Sequence, residues 1–284
     1  ATSLLYYIIL TVEQMSKLGS IAVFAMLAFG FASAFQRSTV FSTTQTMMRS
    51  GRGQLEMYDK IFVAGAGRGV GKLLVEKLSS QGKQVVAFVR REESKTELEK
   101  LPGVTAIIGD ALEQKAVENA MDGCDAAVTT LGTTPEDTVK HKADYTGNVN
   151  VFESAGILGV TRVILVTSLG CGESRAAISD EVYKVLEGAL TAKQKAEKAL
   201  TRYYTNSDWT VIRPGGLSHE PATGQAVLTE NTSAGGMIRR GDVADLVARA
   251  LEAPATHRKV YTALDPSLPS AYSEGQKELD PVPL

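Results

Sequence analysis

Cysteine is scarce in this 284-residue chain, which carries only Cys124 and Cys171. Two thiols cannot build a disulfide framework, and neither stands in a metal-ligand spacing, so no metal centre is expected. Excess positive charge is also missing. A formal net charge of −2 gives no basic face for a phosphate backbone and argues against a nucleic-acid partner. Internal repeats are absent, and so is the composition of a disordered chain. With 44% hydrophobic and 22% charged residues, the chain can bury one sizeable core with tails.

The N-terminus reads as an address rather than as fold. Met15, Ser16 and Lys17 precede "LGSIAVFAMLAFGFASAF", whose Ala32-Ser33-Ala34 is a small-x-small cleavage site. A basic start, an apolar stretch and that site make residues 15–34 a signal peptide cleaved after Ala34. The same apolar run is just long enough to span a bilayer, which leaves a membrane anchor as the alternative. Its glycine, its alanine and the cleavage site favour the signal peptide, so no stable span is expected in the mature protein. From Phe35 to Leu55 the chain has arginine, serine and threonine but no carboxylate, the composition of an organelle transit peptide. The tandem, with Phe35 at the junction, resembles the bipartite plastid presequence of algae with complex plastids. That resemblance implies a plastid location, in the stroma or at the thylakoid. Residues 1–14 precede a start at Met15 and are read as an upstream extension.

The body alternates strands and helices. Apolar runs bounded by turn residues recur as "KIFVAG", "QVVAFVR", "VTAIIGD", "DAAVTT", "RVILVTS", "WTVIRPGG" and "KVYTAL". Runs that are apolar throughout, rather than alternating, indicate burial on both faces and therefore a parallel sheet covered by helices. Leu73, Leu74 and Leu78, and later Val117, Ala120 and Met121, have the spacing of helices that press one face on a sheet. The expected fold is a single α/β domain over 58–265 with a doubly wound, Rossmann-like parallel sheet. Residues 266–284, polar and proline-containing, are expected to form a mobile tail.

The most informative stretch is "KIFVAGAGRGVGKLLVEKL", residues 60–78, with four glycines in seven residues between a strand and a helix. A helix start after such a turn presents unpaired N–H groups and a positive end to an anion, and a dinucleotide diphosphate is the expected occupant. Gly65 allows the tight turn, while Gly69 and Gly71 leave room for the diphosphate and for helix–strand packing. Gly67, Arg68 and Val70 complete the turn. An acid that would hold the ribose 2′-hydroxyl of NAD is missing from the end of the second strand, where Arg90 and Arg91 stand instead. A guanidinium pairs with a 2′-phosphate that an acid would repel, so NADP(H) is expected over NAD(H). Arg68 either reaches the same phosphate or is a solvated loop residue.

"GAGRGVG" resembles the T-G-x-x-x-G-x-G turn of the short-chain dehydrogenase/reductases, with Ala64 in the threonine place. "IIGDALE", "CDAAVTTLGTT", "ADYTGNVNVFESAGILGVTRVILVTSLG", "AKQKAEKAL", "DWTVIRPGGL" and "RGDVADLVARAL" are similar, in order, to the atypical branch of that superfamily. These are the NmrA-like and biliverdin-reductase-B or flavin-reductase-like proteins. The resemblance implies that Asp110 and Ala111 border the adenine, and that Thr130, Leu131 and Gly132 line the cofactor. Pro214, Gly215 and Gly216 would face the nicotinamide end.

It also exposes a gap. Conventional members use a serine after the fifth strand and a tyrosine whose pKa is lowered by a lysine four residues later. Ser168 and Lys193 match the serine and the lysine, but Ala189 stands where the tyrosine belongs. Without that acid, hydride transfer to an acceptor that takes its proton from water, such as a flavin or quinone, remains open, with Ser168 touching the acceptor and Lys193 the ribose or acceptor. Each is equally explained as structural, a turn serine and a helix-surface lysine. Two poorly patterned segments, 170–188 and 217–238, are expected to close the substrate pocket, and Tyr183 and His219 are their notable side chains. A surface tyrosine and a loop histidine remain the plainer reading of those two. Two functions fit: a plastid NADPH-dependent reductase of a small conjugated acceptor, or a non-catalytic NADP(H)-binding sensor or photosynthetic assembly factor with a protein partner.

Overall fold

The seven apolar runs become seven parallel strands of one sheet. The structure is a computed structural model that describes residues 58–133, 139–268 and 279–284. The strands are β1 (Lys60–Ala64), β2 (Gln84–Val89), β3 (Val104–Ile108), β4 (Ala126–Thr129), β5 (Arg162–Val166), β6 (Asp208–Pro214) and β10 (Lys259–Leu264). Three short strands, β7 (Gly216–Ser218), β8 (Val227–Thr229) and β9 (Met237–Arg239), fall within the segment read as unpatterned. Three residues are too few for a period of two to be visible. β8 adds antiparallel to the edge of β10, and β7 pairs with β9 in a separate two-stranded sheet.

The order β3-β2-β1-β4-β5-β6-β10-β8 sends the chain outward from β1 to β3 and then back to β4 on the other side of β1. This reversal makes a crevice beyond the carboxyl ends of β1 and β4, the place where such sheets bind ligands. The expected doubly wound parallel sheet is therefore correct.

Alternation along each strand divides the core. Ile61 and Val63 join Leu74 and Leu78 of α1 (Gly69–Ser80) and Val243 and Val247 of α6 (Arg240–Leu251) on one face. Phe62 and Ala64 face the other layer, with Val117 and Met121 of α3 (Gln114–Met121), Phe152 of α4 (Asn148–Leu158) and Leu200 of α5 (Asp180–Tyr203). A short α2 (Glu92–Leu98) links β2 to β3. Arg162 is fully buried, and its guanidinium donates to Leu251 O (3.2 Å), Asp208 O (2.6 Å) and two threonine hydroxyls. It thus satisfies a carbonyl at the open C-terminal end of α6 and ties that helix to β6.

Two expectations need revision. Residues 180–188 are not loop: Ser179 caps α5 by accepting from Val182 N (3.3 Å), and the helix runs on for 24 residues. The end of the polar C-terminal segment is docked rather than free. Val282 N donates to Leu228 O (2.9 Å), and Val282 and Leu284 pack against the core. The signal-peptide, transit and extension readings fall on residues outside those described. Among the described residues no helix is long and apolar enough to cross a membrane.

Candidate functional site

The glycine turn lies at the switch point and is held there by the absence of side chains. A Cβ on Gly71 would come within 2.2 Å of Gly65 O and 2.5 Å of Thr130 Oγ1, so any larger residue drives α1 away from β1 and β4. Gly65 and Gly69 have φ of +80° and +56°, which side chains disfavour. Thr130, at the end of β4, donates through its backbone N–H to Ala64 O (3.0 Å) and through Oγ1 to Gly65 O (3.3 Å), fixing the turn against the sheet. The first N–H groups of α1 have no carbonyl within the helix to pair with. They open on a cleft of about 760 Å³, within the range of ligand sites.

Most sequence-predicted residues converge on this cleft. Gly65, Gly67, Arg68, Gly69 and Val70 form its floor. Arg90 and Arg91 stand at the end of β2, and Asp110 and Ala111 follow β3. Asp110 Oδ1 accepts from Leu112 N (2.9 Å), and Ala111 O accepts from Asn150 Nδ2 (2.8 Å), which sets that turn. Thr130, Leu131 and Gly132 line the middle, with Ser168, Lys193 and Pro214 on the far side.

Gly71 packs beneath the turn rather than lining it. Gly215 and Gly216 also stay outside: a Cβ on Gly215 would strike Gly236 O at 2.3 Å, and Gly216 N donates to the same oxygen. Tyr183 and His219 do not line this cleft. Tyr183 lies under the Arg175 guanidinium, 4.0 Å from the ring centre, and His219 is exposed on the strand-rich loop. The stripe of α5 that does line the cleft is Leu186, Ala189, Leu190 and Lys193, at helical spacing.

Charge in the cleft runs against the charge of the whole chain. Of the seven charged residues that line it among the described residues, Arg68, Arg90, Arg91, Lys142, Lys193 and Arg240 are basic and Asp110 is acidic. Such a surface attracts an anion and focuses the field in a concave wall. Sequence reading missed Ser94, which lines the cleft with its Oγ 3.1 Å from where a Cβ on Gly67 would stand, and also missed Arg240.

It missed Asp144 as well. A five-residue π-helical turn, Ala143–Gly147, leads into α4 and sets Asp144 beneath the cleft, only 1% exposed. Lys193 Nζ lies 2.9 Å from Asp144 Oδ1 and donates to Leu131 O at 3.0 Å. Thr133 Oγ1 (2.5 Å) and His141 Nδ1 (3.3 Å) reach Asp144 Oδ2. Burial pushes the Asp144 carboxyl up, but the Lys193 charge and the Thr133 hydrogen bonds outweigh it and hold the group below the usual carboxylate range. Gly132 lies directly over this pair: a Cβ there would be 3.4 Å from both charged atoms. Ser168 Oγ lines the cleft and donates to Leu169 O (3.0 Å). Behind it, Thr167 Oγ1 and the Arg213 guanidinium both donate to buried Glu197, at 2.6 and 2.7 Å.

A doubly wound sheet with a glycine turn at its switch point and a basic cleft above that turn defines a dinucleotide-binding protein of the Rossmann type. The profile of the NAD(P)H-binding family matches residues 65–254, and the chain belongs to that family. The resemblance to the atypical, NmrA-like short-chain dehydrogenase/reductases is borne out by this match and by solved structures. The chain is 34% identical over 235 residues to an uncharacterized chloroplastic protein of Arabidopsis thaliana, covering 78% of this chain and 83% of that one. It is 31% identical over 219 residues to an uncharacterized sugar epimerase of Bacillus subtilis (75% and 97% covered). Among solved structures it is similar to ChuY, an anaerobillin reductase of Escherichia coli O157:H7, with a TM-score of 0.66 and 32% identity over 75% of this chain and all of that one.

Proposed function

We propose that this protein is an NADPH-dependent reductase of the plastid that acts on a small conjugated acceptor. The observation that carries the reading is the cleft itself, where six of the seven charged lining residues among those described are basic. A dinucleotide with a 2′-phosphate is the kind of anion that such a lining attracts. The glycine turn has the room and the open N–H groups for its diphosphate, and Arg90 and Arg91 stand where an NAD-binding acid would be. When bound, the cofactor supplies hydride from its nicotinamide.

The chain's own groups supply position. Lys193 is held at the cleft wall by Asp144 and Leu131 O. Leu186 and Leu190 give the α5 wall of the cleft an apolar face. Ala189 offers no acid, so the acceptor takes two electrons as hydride and its proton from solvent. Flavins and quinones accept both in that way. The reductase name of the ChuY structure and the chloroplastic label of the Arabidopsis relative favour this reading. The test is single-turnover oxidation of NADPH by the protein with a panel of flavins and quinones. Acceptor-dependent loss of NADPH absorbance supports the proposal, and its absence with every acceptor sinks it.

A second reading, a non-catalytic NADP(H) sensor with a protein partner, is favoured by one observation, the alanine at the tyrosine place. Nucleotide binding without any turnover would select it.

A further inference from the structure

Arg240 opens α6 and lines the cleft, yet its side chain makes no hydrogen bond or ion pair among the described residues. Its Nη1 is buried without a partner. A basic group in the first turn of a helix also faces the positive end of the helix dipole. A cation at a helix start is relieved by an anion placed beside it. The neighbours offer none. Asp242, the acid of the same turn, is occupied by Thr223 N (2.9 Å) and Gly224 N (2.8 Å), and Arg239 takes Glu220 (2.9 Å).

We propose that Arg240 is a second phosphate clamp, one that grips the diphosphate of the dinucleotide from the α6 side. The two sides of the glycine turn separate the tasks. Gly67 faces Ser94 and Val89 at the end of β2, beside Arg90 and Arg91, which is the side for a 2′-phosphate. Gly69 faces Arg240, whose Cδ and Nε lie 3.9 Å from where a Cβ on Gly69 would stand. An anion seated on the N–H groups at the start of α1 is therefore within reach of this guanidinium, and the planar fork suits two phosphate oxygens at once. Among the described residues no carboxylate pairs with Arg240, which leaves its guanidinium to a ligand.

This inference rests on the dinucleotide reading, and the experiment separates the two. Calorimetric titration of the wild type, Arg240→Gln, Arg240→Lys and Arg90→Ala with NADPH and with NADH is the test. Because the diphosphate is common to both nucleotides, Arg240→Gln is expected to weaken both by the same factor, roughly ten- to a hundredfold, the loss of a charge-assisted pair. Arg240→Lys keeps the charge and the helix start but not the fork, and is expected to lose a smaller common factor. Arg90→Ala should weaken NADPH alone. Unchanged binding in Arg240→Gln overturns the clamp while leaving the dinucleotide reading intact, and a loss confined to NADPH overturns it as a diphosphate contact. If Arg240→Gln does not fold, unchanged binding in Arg240→Lys decides against it. No binding of either nucleotide by the wild type overturns both.

Discussion

Lys193 and Asp144 are 49 positions apart in sequence and 2.9 Å apart in space, with the carboxylate 1% exposed and the ammonium at the wall of the cleft. The pair joins α5 to the entry of α4 and supports Gly132 from below. A buried carboxylate so held is a stability element as well as a positioning one. Asp144→Asn is expected to cost about 3 kcal/mol, the low end for breaking a buried pair because Lys193 keeps some contact with water. The sign of its pH dependence follows from the lowered carboxyl. The unfolded chain binds a proton more readily, so the stabilisation is full above the ordinary carboxylate value near pH 4 and fades as pH falls toward the lower folded value. Urea melts between pH 3 and pH 7 should show this slope in the wild type and a shallower one in Asp144→Asn.

Gly71→Ala should damage the fold at the site rather than the chemistry. The added carbon would be 2.2 Å from Gly65 O, backbone that cannot step aside. A cost of about 1–3 kcal/mol or more is expected from overpacking, together with weakened nucleotide binding because the turn is displaced. Thermal melts and nucleotide titration of this variant check both halves. Gly82→Ala, which meets nothing within 4 Å but has a φ of +78°, provides a contrast governed by backbone strain alone.

Arg213 bridges two acids of unequal worth. Glu197 is buried beside it, whereas the Glu173 side chain is 76% exposed. Arg213→Ala leaves the Glu197 carboxyl buried without its guanidinium and should cost about 3–5 kcal/mol. Glu173→Ala should cost about 1 kcal/mol or less, as surface pairs do. Chemical denaturation of the two variants measures the difference.

Neither thiol is a reactive group. Burial pushes the Cys171 thiol up to about 12 and the Cys124 thiol up to about 11. Thiolate is the nucleophile, so both should resist alkylation at pH 8 in the native protein and react on unfolding. Fast labelling of either in the folded state would contradict this placement.

The strands were legible because parallel sheets bury whole apolar runs, and Ile61 to Ala64 needs no partner in the sequence to reveal that. The glycine turn was legible for the opposite reason: nothing but glycine fits at Gly71. Asp144 was not, because it reads as one more helix acid until Lys193 is folded against it. Arg240 sits in an ordinary helix start, and its significance lies in the missing partner, which only the packed loop around Asp242 reveals. Tyr183 and His219 were chosen for their chemistry, but the phase of α5 turns Leu186, Ala189 and Lys193 to the cleft and leaves Tyr183 a turn too early. β7, β8 and β9 are held by neighbours such as Gly236 and Leu264, contacts with no local signature.

The central claim is that the basic cleft holds a 2′-phosphorylated dinucleotide. Calorimetric titration of the chain from Gly53 onward with NADPH and with NADH, for the wild type and Arg90→Ala, tests it most directly. The account predicts that NADPH binds roughly tenfold or more tightly than NADH and that Arg90→Ala removes the difference while sparing NADH. Equal affinities in the wild type, or no binding of either nucleotide, would contradict it.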